Sequence, residues 1–190
     1  PTLQTMHIQK YTPVEPCFSM SMCDRIQRLC DTIQTEDAKT LHKSGSKRQS
    51  SVRRCKSGWL HMDSNNGWLF KEIWGLTNNV NSALYGFEID EIESLQYLEY
   101  GPLNFFRWHT DNGADRVGTR KLSVIIQLSE PSEYVGGQLQ IKAQEPNVPP
   151  PKARGSVTIF PSHLLHRATP VWLGKRKVLV AWIRGKQTLR

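Results

Sequence analysis

Two segments carry apolar residues at helical spacing. Met22, Ile26, Leu29, Cys30 and Ile33 recur at steps of three and four, which predicts an amphipathic helix over roughly residues 19–35. Leu69, Ile73, Leu76, Val80 and Leu84 do the same, with Asn66-Gly67 marking the start of a second helix and Gly86 its end. Beyond Gly86 the texture changes to short runs rich in aliphatic and aromatic residues: 87–100, 103–110, 121–128, 138–143, 156–160 and 177–184. Gly, Pro, Asn and Asp punctuate them at Tyr100-Gly101-Pro102, Asp111-Asn112-Gly113, Gly136-Gly137 and Pro149 to Pro151. This pattern predicts antiparallel strands in a sandwich or barrel. The expectation is a mainly β fold with supporting α: a double-stranded β-helix, or jelly roll, flanked by N-terminal helices. At 190 residues it reads as one domain, with helical support and a basic loop over 1–85 and the jelly-roll core over 86–190. No internal repeat is evident.

Composition alters this picture in two places. The net charge of +8 is concentrated, since Lys39 to Lys56 holds seven basic residues and no acid, with Ser and Gly between them. A solvated loop is the plain reading; a flap over an acidic substrate is the sharper one, and the two are compatible. The four cysteines, Cys17, Cys23, Cys30 and Cys55, match no zinc spacing and are too sparse for a secreted disulfide scaffold. Cys23 and Cys30 share a helical face and read as core. No apolar run reaches membrane length and no basic-then-apolar leader opens the chain, so a cytoplasmic protein with reduced thiols and no membrane partner is expected.

The candidate chemistry lies in three islands. His109 and Asp111 stand two apart on or beside a strand, so both side chains can leave one face. His166 lies far along the chain, and Arg176 follows it by ten residues. Two imidazoles and a carboxylate form the donor set of a non-haem Fe(II) site with open coordination positions. A fixed guanidinium nearby suits a carboxylate co-substrate. Either fragment alone is weak, because His-x-Asp arises often by chance and single histidines are commonly surface residues. Their joint occurrence is a stronger signal. His163 competes with His166, but position relative to Arg176 and Pro170-Val171 favours His166 and leaves His163 at the rim or on the surface. Gly136-Gly137 reads as a tight connection, Arg120 as an edge salt-bridge residue, and Trp59, Trp68 and Trp74 as packing between helices and sheet.

The segment Tyr100 to Asp111, with Arg120-Lys121-Leu122-Ser123 and Gly136-Gly137, resembles the metal-binding region of Fe(II)/2-oxoglutarate-dependent dioxygenases of the prolyl hydroxylase type. Gly155 to Trp182, containing Phe160-Pro161-Ser162, His166-Arg167, Pro170-Val171 and Gly174-Lys175-Arg176, is similar to bacterial and phage PKHD-type hydroxylases. The likeness extends loosely back to Arg53. It implies Fe(II) on His109, Asp111 and His166, with O2 as the oxidant and ascorbate as an optional reductant. It further implies that Arg176 and Tyr100 hold the distal carboxylate of 2-oxoglutarate. Where relatives often carry a second tyrosine, this chain has Phe106. Trp182 matches an aromatic position near the site, although core packing is the plainer reading, and Arg53 and Arg54 are candidates to face substrate. The implied reaction is hydroxylation of an unactivated C–H bond, foremost of a peptidyl proline, with succinate and CO2 as co-products. A free amino acid, small metabolite or nucleic acid as substrate, or a non-catalytic basic jelly roll that binds nucleic acid, are the alternatives. The sequence leaves the oligomeric state open.

Overall fold

A computed structural model describes residues 10–15, 17–38, 40–41, 47–48, 51–113, 115–145 and 148–186. Strand β1 (Thr12–Val14) and helix α1 (Met20–Asp31) come first. Short strands β2 (Glu36–Asp37), β3 (Thr40–Leu41), β4 (Lys47–Arg48) and β5 (Arg53–Arg54) lead to β6 (Lys56–Leu60). Helix α2 (Gly67–Val80) follows and runs into one π-helical turn at Asn81–Tyr85. The remaining strands are β7 (Glu91–Ile92), β8 (Leu95–Tyr100), β9 (Phe105–His109), β10 (Arg120–Gln127), β11 (Tyr134–Gly136) and β12 (Leu139–Ile141). Then come β13 (Val157–Pro161), β14 (His166–Ala168), β15 (Val171–Gly174) and β16 (Arg176–Arg184).

Strands β1-β13-β10-β16-β8-β6-β2 form a large sheet in that order, with β7 also on β16. Facing it are the four-stranded sheet β12-β14-β9-β5 and the pair β11-β15. All the strand pairings within these sheets are antiparallel. The expected jelly roll is therefore present, but its helices are interleaved with strands rather than preceding them. β1 and β6 hold three and five residues, too short for a clear alternation, and they join the large sheet on opposite sides. Of the 39–56 segment, read as a solvated loop or a flap, residues 39, 42–46 and 49–50 lie outside the described residues.

Each helix stops for a local reason. Ser19 caps α1 by accepting the Met22 N–H, and Cys23, Ile26 and Cys30 bury its apolar stripe. The helix ends at Asp31 rather than residue 35 because Thr32 turns back on it, its hydroxyl and its N–H both donating to the Leu29 carbonyl. After the π-turn, Gly86 adopts φ 68° and donates its N–H to the Asn81 carbonyl, a left-handed stop suited to glycine. The strand expected over 87–100 is divided at Glu93-Ser94 into β7 and β8.

Period-two alternation separates the two faces of the large sheet. On β16, Leu179, Ala181 and Ile183 pack toward the helices, while Val178, Val180 and Trp182 face the second sheet. On β10, Leu122, Val124 and Ile126 pack with the helices. Each buried Leu or Ile contributes about 1.5–3 kcal/mol on this helix side. The opposite side is where polar groups collect. Gly174, between β15 and β16, has φ 74°, and a Cβ there would stand 1.9 Å from the Glu133 carbonyl oxygen. Gly174→Ala is therefore expected to cost about 2–3 kcal/mol, lowering the melting temperature by about 5–10 °C in a thermal scan.

Candidate metal centre

Phe106 and His109 are three residues apart, so a regular strand would turn them to opposite faces. Both face the interior, and their rings stack with centroids 3.4 Å apart. The cause is a bulge: His109 pairs with His166 and Phe106 with Ala168, setting two residues of β9, Arg107 and Trp108, against Arg167 alone. The extra residue re-aims His109 beside His166, whose ring centroid lies 4.1 Å away. His166 opens β14 rather than ending a strand, because Leu164 N–H bonds back to the Pro161 carbonyl and reverses the chain.

Asp111 completes the group. Its Oδ1 lies 3.6 Å from His109 Nε2 and its Oδ2 lies 3.4 Å from His166 Nε2. One ligand atom from each of the three residues lies within 4.8 Å of the others. The far sides of the rings fix the tautomers. His109 Nδ1 is 2.8 Å from the Arg107 carbonyl, and His166 Nδ1 is 2.9 Å from the Leu164 carbonyl. A carbonyl only accepts, so Nδ1 carries the proton in each ring and the Nε2 lone pairs converge.

Electrostatics favour the same state at His166. Burial pushes the His166 imidazole below its ordinary value, and His109 adds to this, against the opposing pull of Asp111 and the Leu164 carbonyl. The ring is therefore neutral and able to donate a lone pair at neutral pH. Burial alone would raise the Asp111 carboxyl, but His166, His109 and the Ser123 hydroxyl hold it far below the carboxylate range. Ser123 donates to Asp111 Oδ2 at 2.7 Å, while the Asp111 N–H donates to the Ser162 carbonyl. Ser123→Ala is expected to weaken affinity for a divalent metal about 10- to 100-fold, measured by titration with Fe(II) under anaerobic conditions.

The three residues open onto a cavity of about 510 Å³ between the sheets. Arg176 lines it from the first position of β16 and is only 2% exposed. Its Nε donates to Gln127 Oε1 at 3.3 Å, whereas its Nη2 is buried with no hydrogen-bond partner. The Tyr134 hydroxyl is likewise buried and unpartnered. Burial works against the Arg176 charge while Tyr134 and Tyr100 support it. Gly137 makes room: a Cβ at that position would fall 3.1 Å from Arg176 Cδ and 2.8 Å from Val171 Cγ2. Gly136 is equally constrained, by the Pro170 carbonyl. Tyr100 lines the same cavity, its ring 5.7 Å from the Arg176 guanidinium. Burial and the neighbouring Cys55 push its hydroxyl well above the ordinary value, so it stays a proton donor.

The other expected residues divide. Arg53 lines the cavity, donating to Gln96 Oε1 at 3.1 Å and Cys55 Sγ at 3.2 Å. Arg54 does not reach the cavity: strand alternation turns it to the exposed face. Trp182 is buried in the core that faces the second sheet and also lines the cavity. Arg120 makes the expected ion pair, with Glu93 at 2.7 Å, but on the cavity wall rather than at an edge. Its guanidinium lies 3.9 Å over Trp182, and its Nη1 donates to the Asp111 carbonyl. Trp68 and Trp74 pack against the helix-side core as expected. Trp59 instead is 45% exposed and lines the cavity 6.0 Å from Trp182, because alternation along β6 turns it away from the helix-side core that Leu60 joins. His163 is half-buried and outside the converging triad.

Ser123, Gln127 and Tyr134 were not anticipated. For the first two a sequence signal exists, since they are the polar positions that bracket the apolar run Val124-Ile125-Ile126 in β10. Tyr134, in a three-residue strand, offered none.

Residues 95–184 match the family model described as the 2OG-Fe(II) oxygenase superfamily. A PKHD-type hydroxylase of Crocosphaera subtropica is 35% identical over 97 residues, which cover 50% of this chain and 44% of that protein. A PKHD-type hydroxylase of Synechococcus sp. strain CC9605 is 41% identical over 85 residues, covering 42% and 36%. The chain thus spans less than half the length of these curated relatives. A prolyl-4-hydroxylase of Pseudomonas putida superposes with TM-score 0.74 at 17% identity, covering 93% of each chain. A Trichoplax adhaerens prolyl hydroxylase, solved with a hypoxia inducible factor oxygen degradation domain peptide, gives TM-score 0.73 at 17% identity, covering 93% of this chain and 84% of that one. These two share its fold.

Proposed function

We propose that this chain carries a 2OG-Fe(II) oxygenase domain, a reading supported by the family match over residues 95–184, and that it hydroxylates an unactivated C–H bond of a peptide or protein, with proline the favoured residue. The observation that carries this reading is the convergence of His109, Asp111 and His166 on the cavity that also holds the unpartnered Arg176 nitrogen.

The residues fit the groups that such chemistry requires. His109, Asp111 and His166 would hold Fe(II) through two neutral imidazoles and one carboxylate, a donor set of suitable type and charge. Arg176 would hold the distal carboxylate of 2-oxoglutarate. A buried guanidinium nitrogen with no partner carries an unrepaid desolvation cost, which a carboxylate offsets through a charge-assisted bond. The Tyr134 and Tyr100 hydroxyls stand beside it as neutral donors for the same anion. When bound, iron with 2-oxoglutarate and dioxygen supplies the oxidising power to hydroxylate the C–H bond, giving succinate and carbon dioxide as co-products.

The chain's own part is orientation and exclusion of water. Gln127 holds the Arg176 guanidinium in place, and Ser123 and the Ser162 carbonyl hold Asp111. Val178, Val180 and Phe106 give the cavity apolar walls, which strengthen the electrostatic contacts within it. Trp59 and Trp182 provide aromatic surface where a pyrrolidine ring could pack. Arg53 and Arg120 leave room for a polar backbone contact. A free amino acid or a small metabolite would meet the same machinery.

The test is mass spectrometry of proline-containing peptides incubated with the protein, Fe(II), 2-oxoglutarate and air. Gain of one oxygen atom with stoichiometric succinate supports the reading. A protein that takes up neither Fe(II) nor 2-oxoglutarate sinks it, and gain of oxygen only on free amino acids, metabolites or nucleic acid moves the substrate class.

A further inference from the structure

The sheet β12-β14-β9-β5, which carries His109 and His166, contains Arg53, Arg54, Arg107 and Arg167 and no acidic residue. Arg53 faces the cavity. Arg54 and Arg107 are exposed, Arg167 is half-buried, and Lys142 follows directly after β12. Among the described residues Arg54, Arg107, Lys142 and Arg167 make no ion pair, whereas Arg120, Arg154 and Arg184 each do. Four uncompensated cations on one small sheet repel one another, a cost that an anionic partner would remove.

These cations are also held in place. Arg167 donates from Nε to Gln140 Oε1 at 2.7 Å and lies 4.6 Å over the Trp108 ring. Lys142 Nζ stands 5.1 Å from the same ring, and Arg107 lies 5.7 Å over Phe105. The β9 bulge that turns His109 inward is what sets Arg107 and Trp108 on this outer side. A groove of about 230 Å³ runs along the sheet between Phe105–Arg107 and Arg167–Pro170. It shares Phe106, Arg167 and Ala168 with the walls of the metal cavity.

We infer that this outer face docks an acidic stretch of the polypeptide whose neighbouring residue enters the cavity. The inference rests on the oxygenase reading and specifies its substrate as a chain carrying carboxylates beside the hydroxylated residue. Charge complementarity is the argument for an acidic occupant. Trp108 and Phe105 already have cations lying over them, which favours carboxylates on those cations over nucleobases stacked on the rings.

The test uses the full chain with Fe(II) and 2-oxoglutarate under anaerobic conditions. Proline-centred fluorescent peptides flanked by runs of Glu, Gln or Lys are titrated by anisotropy, alongside oligouridylate. The Glu-flanked peptide is expected to bind at least about tenfold tighter than the Gln-flanked one at low ionic strength, with the advantage shrinking as salt is added. The paired substitution Arg107→Glu with Lys142→Glu, both at exposed positions, is expected to erase that advantage. Equal binding of the Glu and Gln peptides, preference for the Lys peptide, or a preference that survives the double substitution would overturn the inference. So would oligouridylate binding more tightly than the Glu peptide. The wild-type peptide and salt series stand alone if the variant does not fold. Failure of the wild-type protein to take up Fe(II) or 2-oxoglutarate would instead overturn the oxygenase reading.

Discussion

His166→Ala is expected to remove Fe(II) binding and to lower hydroxylation by more than about a thousandfold, while His163→Ala keeps both near the parent level. The triad supplies three protein donors, and His166 is the most buried of them. Its loss leaves His109 and Asp111, two donors at the end of one strand, with nothing holding the opposite side of an ion. A metal contributes several kcal/mol to such a reaction, and about 4 kcal/mol corresponds to a thousandfold in rate. His163 is the informative control because it lies in the turn that leads into β14, three residues before His166, yet outside the triad. Anaerobic Fe(II) titration and succinate release read the two variants. An active His166 variant beside a dead His163 variant would reverse the ligand assignment.

Arg176→Ala has a different expected profile. The 2-oxoglutarate concentration needed for half-maximal turnover should rise about 30- to 1000-fold, equivalent to losing about 2–4 kcal/mol of charge-assisted bonding. Arg176→Lys should recover part of this, since an ammonium keeps the charge but not the two-pronged geometry. Stability separates the role from simple packing. Removing one member of a buried ion pair normally destabilises a fold by leaving the other charge stranded. Arg176 has no acidic partner among the described residues, so its removal strands none. The variant without co-substrate should melt close to the parent, while the thermal shift on adding 2-oxoglutarate should disappear. A variant that melts far below the parent and keeps its co-substrate requirement would assign Arg176 to the core alone.

How far the sequence reveals this arrangement depends on length and on which side of a sheet a residue faces. The two helices and the long strands β10 and β16 are legible because several apolar repeats reinforce one another. Strands β1, β11, β14 and β15 hold three or four residues, and so few positions hardly distinguish a strand from a loop. The candidate triad of His109, Asp111 and His166 is legible because the donor chemistry is specific, even though its convergence depends on a bulge invisible in the spacing. The basic segment misleads in part: Arg53 and Arg54 look equivalent in the chain, yet alternation sends one into the cavity and the other to solvent. Trp59 misleads for the same reason, since aromatic residues serve cores and cavity walls equally well. Ser123 and Gln127 were readable as polar flanks of an apolar run, a clue whose meaning emerges only once β10 is known to border the site.

Strand β16 acts as a bulkhead between two compartments, oily on one side and ionic on the other. Its pairing with β10 and β8 runs from Arg176 to Arg184 and clamps it along both margins. Sliding it by a single residue would drive Arg176 and Trp182 into the oily compartment and bring Leu179 and Ile183 round to face His109, Asp111 and His166. No small slip is harmless, so the bulkhead's length and phase are fixed together.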